Sequence, residues 1–235
     1  GQRHQIEFLS LPDIGNAAFL SREVMIGFIH LVMLGVISAG IMGWFAGFEL
    51  IKSKSILPMI LVGIENTQRR KDLTGQTEVE ADKEIAPIVG GSEQFRAFIN
   101  DELFSEINKR YRTTNKKGIL GESLSGLFVV ETFLLKPEMF NYYIAFDPSL
   151  WWNNHYLVRA VKEHLMKLPT TEIRFWFGGS NTENISIYTN EFAQILKSEN
   201  LPNLKWTYSD EPKEKHNTIF RATKVKALKW TLGGQ

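Results

Sequence analysis

Short apolar runs alternate with amphipathic stretches along the chain from residue 57 onward. Apolar runs bounded by glycine, proline or polar clusters predict buried strands, and apolar residues spaced by one helical turn predict helices that cover them. The predicted strands are 57–64, 118–121, 142–146, 172–177 and 205–208, and the predicted helices are 92–111, 127–135, 154–168, 185–198 and 217–231. This alternation predicts an α/β fold with a mostly parallel central sheet and helices on both faces.

A separate apolar run occupies residues 25–48, which carry no formal charge. Its length and polarity meet the usual criterion for a membrane-spanning helix, and Gly43 and Gly47 have the spacing that lets such helices approach closely. The alternative is a buried strand and helix of an ordinary protein core, split by the glycines. Membrane association through 25–48 is therefore one of two interpretations.

Residues 65–91 are polar and irregular, and they predict a long loop between the first of these strands and the first helix. Long loops in compact domains are often functional. Arg69 and Arg70 lie in this loop and are candidates for contact with an anionic group of a substrate. Solvated surface charge is the more common role for such residues.

Composition narrows the class of protein. The 235 residues are enough for one α/β domain with a proper core. A net charge of +1 gives no indication of a nucleic-acid partner. The chain has no cysteine, which excludes disulfides, thiolate metal sites and a cysteine nucleophile. The compartment stays open between cytoplasm and periplasm, and because the first residue is Gly1 we expect a trimmed or mature form.

The segment G-E-S-L-S-G at 121–126 lies between a predicted strand and a predicted helix, as a nucleophile elbow requires. The turn is so sharp that small residues must stand two positions before and two positions after the nucleophile. The usual pattern G-x-S-x-G is met except at Ser125, which is still small. Ser123 is therefore the candidate nucleophile, and the N–H of Leu124 at the start of the helix is a candidate oxyanion donor.

A serine hydroxyl needs a base to take its proton. The polar loop D-E-P-K-E-K-H-N-T, between the last predicted strand and the last predicted helix, places His216 where this class of enzymes carries its catalytic histidine. The other four histidines lie at a chain end, in the apolar run or on a predicted helix: His4, His30, His155 and His164. His216 is therefore the candidate general base.

A carboxylate should hold that histidine in the tautomer that accepts the serine proton. We expect it in the loop after the penultimate predicted strand, where the sequence is G-G-S-N-T-E at 178–183. Glu183 is therefore the first candidate. Four other carboxylates follow strands or lie near the histidine in sequence: Asp147, Asp210, Glu211 and Glu214. A Ser–His dyad without an orienting acid is a further alternative.

Several stretches resemble the putative-esterase family of α/β hydrolases, which includes esterase D-like enzymes and esterases of catechol siderophores. They are L-P-M-I-L-V-G-I-E-N-T-Q-R-R-K-D-L-T at 57–74, F-R-A-F-I-N-D-E-L at 95–103, G-E-S-L-S-G-L-F at 121–128 and F-N-Y-Y-I-A-F-D-P-S-L-W-W at 140–152. The resemblance covers residues 57–235 and implies an α/β-hydrolase fold with serine esterase activity. It also supports Glu183, in G-G-S-N-T-E-N, and His216, in H-N-T, as catalytic residues.

Residues 1–56 do not resemble the family, whose members carry a strand ending in a Leu-Asp-Gly-like turn ahead of the strand at 57–64. The backbone after that turn supplies the second oxyanion donor, and the apolar run 25–48 stands in its place. Three explanations are open: a divergent strand and helix, a membrane anchor, or a local shift of the reading frame. We predict one domain over 1–235, with 1–56 atypical and 57–235 as the catalytic core.

Together these residues predict a carboxylic ester hydrolase that works through an acyl-enzyme on Ser123. Trp151 and Trp152 are candidates to line an aromatic pocket for aryl or siderophore-type esters, or else they pack under a loop. No metal or organic cofactor is implied, the expected partner is a small ester, and the oligomeric state is open.

The alternative function is a degenerate, non-catalytic binding protein, because losing one oxyanion donor typically costs about 3–4 kcal/mol of transition-state stabilisation. Acyl transfer to an alcohol rather than to water is a second alternative.

Overall fold

A parallel sheet forms the centre of the protein. The computed structural model describes residues 47–64, 68–199 and 201–233, and the backbone of residues 29–34. The strands are β1 (Ile29–Leu34), β2 (Met59–Ile64), β3 (Lys117–Glu122), β4 (Tyr142–Phe146), β5 (Ile173–Ser180) and β6 (Leu204–Glu211). These six strands pair in the order β2-β1-β3-β4-β5-β6, and every pairing is parallel. Because parallel strands end at a common edge, the loops after β3, β4, β5 and β6 meet on one side of the molecule.

The helices lie on both faces of this sheet. They are α1 (Arg69–Asp72), α2 (Glu80–Ile85), α3 (Ser92–Phe98), α4 (Phe104–Arg110), α5 (Leu124–Leu135), α6 (Trp152–Leu165), α7 (Glu183–Ser198) and α8 (Ile219–Leu232). A π-helical turn at Ile99–Leu103 joins α3 to α4, and residues 47–52 are also helical. The predicted α/β fold with helices on both faces is confirmed.

Alternate residues of the central strands point to opposite cores, as the pleat of a strand requires. On β4, Tyr143 belongs to the larger core and Ile144 to the smaller one. On β5, Phe175 and Phe177 face the larger core while Trp176 faces the smaller one. Residues from α3, α5, α6 and α7 complete the larger core, and residues from α8 and the 47–52 segment complete the smaller one. Both faces of the sheet are therefore buried, which explains the continuous apolar runs in its strands.

Two predicted segments differ from the structure in ways that matter below. The loop predicted over 65–91 contains two short helices, α1 and α2. The strand predicted to end at 177 continues to Ser180, because Gly178, Gly179 and Ser180 pair with the end of β6. This extension shortens the loop that was expected to carry the catalytic acid.

Part of the apolar run at 25–48 is a strand of the sheet. β1 lies between β2 and β3 and pairs with both along its length. This placement agrees with the divergent strand and helix among the three explanations of the run. Residues 25–28 and 35–46 lie outside the described residues. Among the parts of the chain that the structure describes, no helix has the length and apolar character that crossing a membrane requires.

A buried ion pair connects α3 with α5. Arg96 Nη2 lies 3.0 Å from Glu131 Oε1, and the two residues are only 5% and 7% exposed. Ser92 donates a hydrogen bond to the same carboxylate at 2.8 Å, and Arg96 also donates to Thr132 Oγ1 at 3.0 Å. The hydroxyl of Ser92 is therefore committed to Glu131, and the residue at the cap position of α3 is Gly91. Each charge therefore depends on the other, because a buried charge without a partner is strongly unfavourable.

We expect Glu131→Ala to lower the free energy of unfolding by about 3 kcal/mol, because Arg96 would stay buried without its carboxylate. Chemical denaturation followed by circular dichroism measures this change. The matched control is Glu163→Ala, which removes an exposed i,i+4 pair with Lys167 and should change stability little. Equal effects of the two substitutions would contradict this account of the buried pair.

Candidate active site

Ser123 stands on a strained turn between β3 and α5. Its backbone angles are φ 62° and ψ −122°, which side-chain-bearing residues rarely adopt and which cost about 1–3 kcal/mol. Three backbone hydrogen bonds hold this geometry. The N–H of Ser123 donates to Phe146 O at 3.0 Å, while its carbonyl accepts from Leu127 N at 2.8 Å and Ser149 N at 3.2 Å. The turn therefore presents Ser123 at the end of the sheet, as expected for a nucleophile elbow.

The small residues of the elbow are needed for close backbone contacts. A Cβ on Gly121 would lie 2.4 Å from Ser125 O, and one on Gly126 would lie 2.9 Å from Phe146 O. Ser125, where the usual pattern has glycine, fits and adds hydrogen bonds. Its hydroxyl donates to Glu122 O at 2.7 Å and accepts from Glu122 N at 3.1 Å. Ser125, the residue that departs from G-x-S-x-G, therefore stabilises the turn.

The structure brings Ser123 and His216 together although 93 positions separate them in the chain. The distance between His216 Nε2 and Ser123 Oγ is 3.1 Å. The histidine lies on residues 212–218, between β6 and α8, and the N–H of Asn181 anchors this loop by donating to Glu214 O at 3.1 Å. A neutral imidazole in this position can accept the hydroxyl proton of the serine.

Asp147 is the carboxylate that contacts His216. It follows β4 directly, is 0% exposed, and places Oδ2 at 3.0 Å from His216 Nδ1. Ser180, the last residue of β5, donates its N–H to Oδ1 at 2.6 Å and its hydroxyl to Oδ2 at 2.7 Å. The carboxylate therefore directs Nδ1–H toward itself and leaves Nε2 free to accept from Ser123.

Glu183, our first candidate for the acid, is placed elsewhere. It is the exposed first residue of α7, where Thr182 occupies the cap position. The physical reason is that β5 extends to Ser180, so the chain enters α7 before it can turn back to the histidine. Asp147, one of the alternatives from the sequence, is closer because β4 is the immediate neighbour of β3. The strand order that decides between them is not a local property of the sequence.

The carboxylate of Asp147 acts on the basicity of His216. Its hydrogen bond to the imidazole raises the pKa of His216, and its charge and that of Glu122 act in the same direction. Burial of the ring and the charge of Arg69 oppose this increase. Since only the neutral imidazole can act as a base, a raised pKa moves the lower limit of activity to higher pH.

Leu124, the predicted oxyanion donor, is the first residue of α5. The first N–H groups of a helix have no acceptor within that helix, and the helix dipole favours negative charge there. The amide of Leu124 therefore lies directly after Ser123, at a helix terminus suited to a developing oxyanion. β1 ends beside the same elbow, since Leu34 is in register with Gly121.

The two predicted substrate-binding tryptophans differ in burial. Trp152 is 4% exposed, packs in the larger core and donates its indole N–H to Gly75 O at 3.3 Å. It also lines a cavity of about 470 Å³ beside Arg96. Trp151 is half-buried, with a ring centroid 5.9 Å from that of Trp152. Trp152 therefore packs in the protein, as the alternative prediction had it, whereas Trp151 is the more exposed of the two.

A left-handed turn at residues 153–155 follows these tryptophans. The φ angles of Asn153, Asn154 and His155 are 50°, 52° and 48°, each unfavourable for an L-residue by about 1–2 kcal/mol. Asp82, buried on α2, accepts from the N–H of Asn153 at 2.8 Å. The segment predicted as a loop therefore holds the non-helical first turn of α6.

Arg69 opens α1 and is half-buried. Burial lowers the pKa of Arg69, as does the charge of Arg70, whereas the charge of Glu122 raises it. Its Nε is buried and has no hydrogen-bond partner among the residues that the structure describes. The sequence indicated Arg69 as a substrate contact but gave no reason to single out Glu122, Ser180 or the hydroxyl of Ser125.

Comparison with known proteins identifies relatives. The model of the family described as Putative esterase matches residues 38–224, and so begins inside the segment that we expected to be atypical. The chain is 33% identical over 166 residues to the ferri-bacillibactin esterase BesA of Bacillus subtilis (strain 168), which covers 65% of this chain and 55% of that protein. The chain thus spans about half the length of this curated relative.

Solved structures share the fold. The IroE-like serine hydrolase from Shewanella oneidensis has a TM-score of 0.75 at 20% identity, covering 87% of this chain and 70% of the other. The BES protein from Bacillus cereus has a TM-score of 0.72 at 22% identity, covering 86% and 82%. The fold is that of an α/β hydrolase, and since the family model spans most of the sequence, the chain belongs to the Putative esterase family.

Proposed function

We propose that this chain hydrolyses carboxylic esters through an acyl-enzyme on Ser123. The observation that carries the proposal is the continuous hydrogen-bonded series from Ser123 Oγ through His216 to Asp147. This series has the geometry of a serine-hydrolase triad. It supports an enzyme over a non-catalytic binding protein, for which a buried carboxylate aligned with a histidine and a strained serine would have no use. In this proposal, residues 1–235 form one domain.

Acylation begins when His216 Nε2 takes the proton of Ser123 and Oγ attacks the ester carbonyl carbon. The carbonyl oxygen becomes an oxyanion, which the N–H of Leu124 stabilises together with a second donor from the N-terminal quarter. The imidazolium, stabilised by Asp147, then gives its proton to the departing alcohol. The products of this half-reaction are the free alcohol and an acyl group bonded to Ser123.

Deacylation repeats these steps with water as the nucleophile. His216 takes a proton from the water, whose oxygen attacks the acyl carbon, and the collapse of the intermediate returns the proton to Ser123 Oγ. The carboxylic acid is released and the free enzyme is restored. An alcohol in place of water would give acyl transfer, and product analysis separates the two reactions.

The proposed substrates are aryl or siderophore-type esters. The name of the Bacillus subtilis relative, a ferri-bacillibactin esterase, supports this class. Trp151 is half-buried and follows Asp147 by four residues. It offers an aromatic surface for such a substrate, with the ring of Trp152 packed against it. Arg69, with a buried Nε that lacks a partner among the described residues, is the proposed contact for a polar or anionic group.

Ser123→Ala should abolish labelling by a fluorophosphonate probe and lower the hydrolysis of 4-nitrophenyl acetate by at least about 10³-fold, because the nucleophile is lost. In-gel fluorescence and initial rates measure the two effects. Ser186→Ala, which removes an exposed serine hydroxyl on α7, is the control and should be labelled like the unmodified protein. Persistent labelling of the Ser123 variant would refute the assignment of the nucleophile.

Asp147→Asn should lower kcat by about 10²–10⁴-fold, because the imidazole loses the partner that fixes its tautomer. It should also lower the pKa of His216, since the hydrogen bond that raises it is weakened. The acid limb of the pH profile of kcat/KM then moves to lower pH. The control is Glu183→Gln, for which the wild-type profile is expected. Should the loss of activity instead accompany the Glu183 variant, Asp147 is not the acid.

Incubation with ferri-bacillibactin tests the substrate class. We expect products whose mass increases by one water for each ester cleaved, detected by mass spectrometry, and none with the Ser123→Ala variant. Hydrolysis of 4-nitrophenyl acetate without any cleavage of the siderophore would leave the esterase mechanism standing and reject this class of substrate.

A further inference from the structure

Glu122 is a charged side chain at the nucleophile that the catalytic series does not use. It directly precedes Ser123, and its backbone is fixed by both hydrogen bonds of the Ser125 hydroxyl. The side chain is half-buried, and among the described residues its carboxylate has no hydrogen-bond or ion-pair partner within contact distance. A carboxylate held in this way is available to act on whatever occupies the site.

Arg69 is a permanent opposite charge that acts on Glu122. The two side chains interact electrostatically, since each shifts the pKa of the other toward its charged form. They form no ion pair, and Arg69 Nε is buried without a partner in the part of the chain that the structure describes. Both also act on His216, the carboxylate raising its pKa and the guanidinium lowering it. The charges of both groups therefore act on His216, and the two groups do not neutralise each other by contact.

We propose that Glu122 determines specificity by selecting the ester according to the charge next to the scissile bond, with Arg69 as its counter-charge. This inference rests on the proposed esterase function and deepens it. Glu122 directly precedes Ser123, and its charge acts on His216, whose ring lies 3.1 Å from Ser123 Oγ, so this charge also acts on an ester that reacts there. When Glu122 is ionised, it offsets Arg69 and repels an anionic group on the substrate. When Glu122 is protonated, Arg69 attracts that group unopposed.

The charge of Glu122 changes in the range where such an enzyme works. Burial, the largest effect, and the charge of Asp147 raise the pKa of Glu122 to about 7, while His216 and Arg69 act in the opposite direction. Among the residues that the structure describes, the charges that act on Glu122 come from these three groups, at the end of β4, in the loop after β6 and on α1. Because the carboxyl gains its charge as the pH rises through about 7, preference for an anionic ester should fall with rising pH.

The test compares two esters of one shape, 4-acetoxybenzoate and its methyl ester, of which the first is anionic and the second neutral throughout the pH range used. The quantity measured is the ratio of kcat/KM for the anionic ester to kcat/KM for the neutral ester. Ionisation of His216 affects both esters alike and cancels in this ratio. We expect the ratio to fall about fivefold from about pH 6 to about pH 8 in the unmodified protein.

Variants at Glu122 separate its charge from its size. Glu122→Gln should keep the ratio at its high, low-pH value throughout the range, and Glu122→Asp, which retains a carboxylate, should keep the decline. Glu191→Gln, the matched change at an exposed carboxylate on α7, should behave like the unmodified protein. The decline in the unmodified protein and its retention in Glu122→Asp test the inference even if the glutamine variant fails to fold.

The outcomes distinguish the two proposals. If both esters are cleaved and the ratio in the unmodified protein does not change with pH, the role of Glu122 is refuted and the esterase mechanism stands. A decline that persists in a folded Glu122→Gln variant refutes it equally. If neither ester is cleaved, the proposed function fails and the inference falls with it.

Discussion

The buried carboxylate of Asp147 is the constraint on which the catalytic end of the sheet depends. An ionised group with no exposure is strongly unfavourable unless donors surround it. Here two donors come from Ser180 at the end of β5 and one from His216 on the loop after β6. These bonds connect the ends of β4, β5 and β6, and His216 then reaches Ser123 at the end of β3. The hydrogen bonds that compensate the charge of Asp147 therefore bring together residues from the ends of four strands.

The site also requires that the strained backbone of Ser123 be held next to His216. The positive φ of Ser123 is maintained because Phe146, the residue before Asp147, accepts its N–H. Gly126 allows α5 to approach that same carbonyl, where a Cβ would lie at 2.9 Å. The carbonyl of Phe146 thus fixes Ser123, while the next residue, Asp147, fixes His216. Strain at Ser123 and burial of Asp147 are supported by the same short stretch of backbone.

The residues that the sequence identified are those with local signals. Ser123 follows from a strand, a sharp turn and a helix, and His216 from a polar loop between the last strand and the last helix; the structure brings the two together. The carboxylate that contacts His216 could not be found from local sequence. It is Asp147 because β4 lies next to β3 and β5 extends to Ser180, and strand pairing sets both. The helices and strands after residue 57 were predicted for the same local reason. The apolar run at 25–48 has a pattern that both a core and a membrane segment can produce.

Two carboxylates near one histidine show how environment separates the behaviour of identical chemical groups. Asp147 is fully buried but accepts three hydrogen bonds, so its charge is compensated by fixed donors that hold it against the imidazole. Glu122 is less buried, but no donor contacts its carboxylate among the described residues, and burial without donors favours the neutral form. A carboxylate held by donors in this way can keep the imidazole in position. One that lacks them changes its charge near neutral pH, and it can therefore make the response of the site to a substrate depend on the solution.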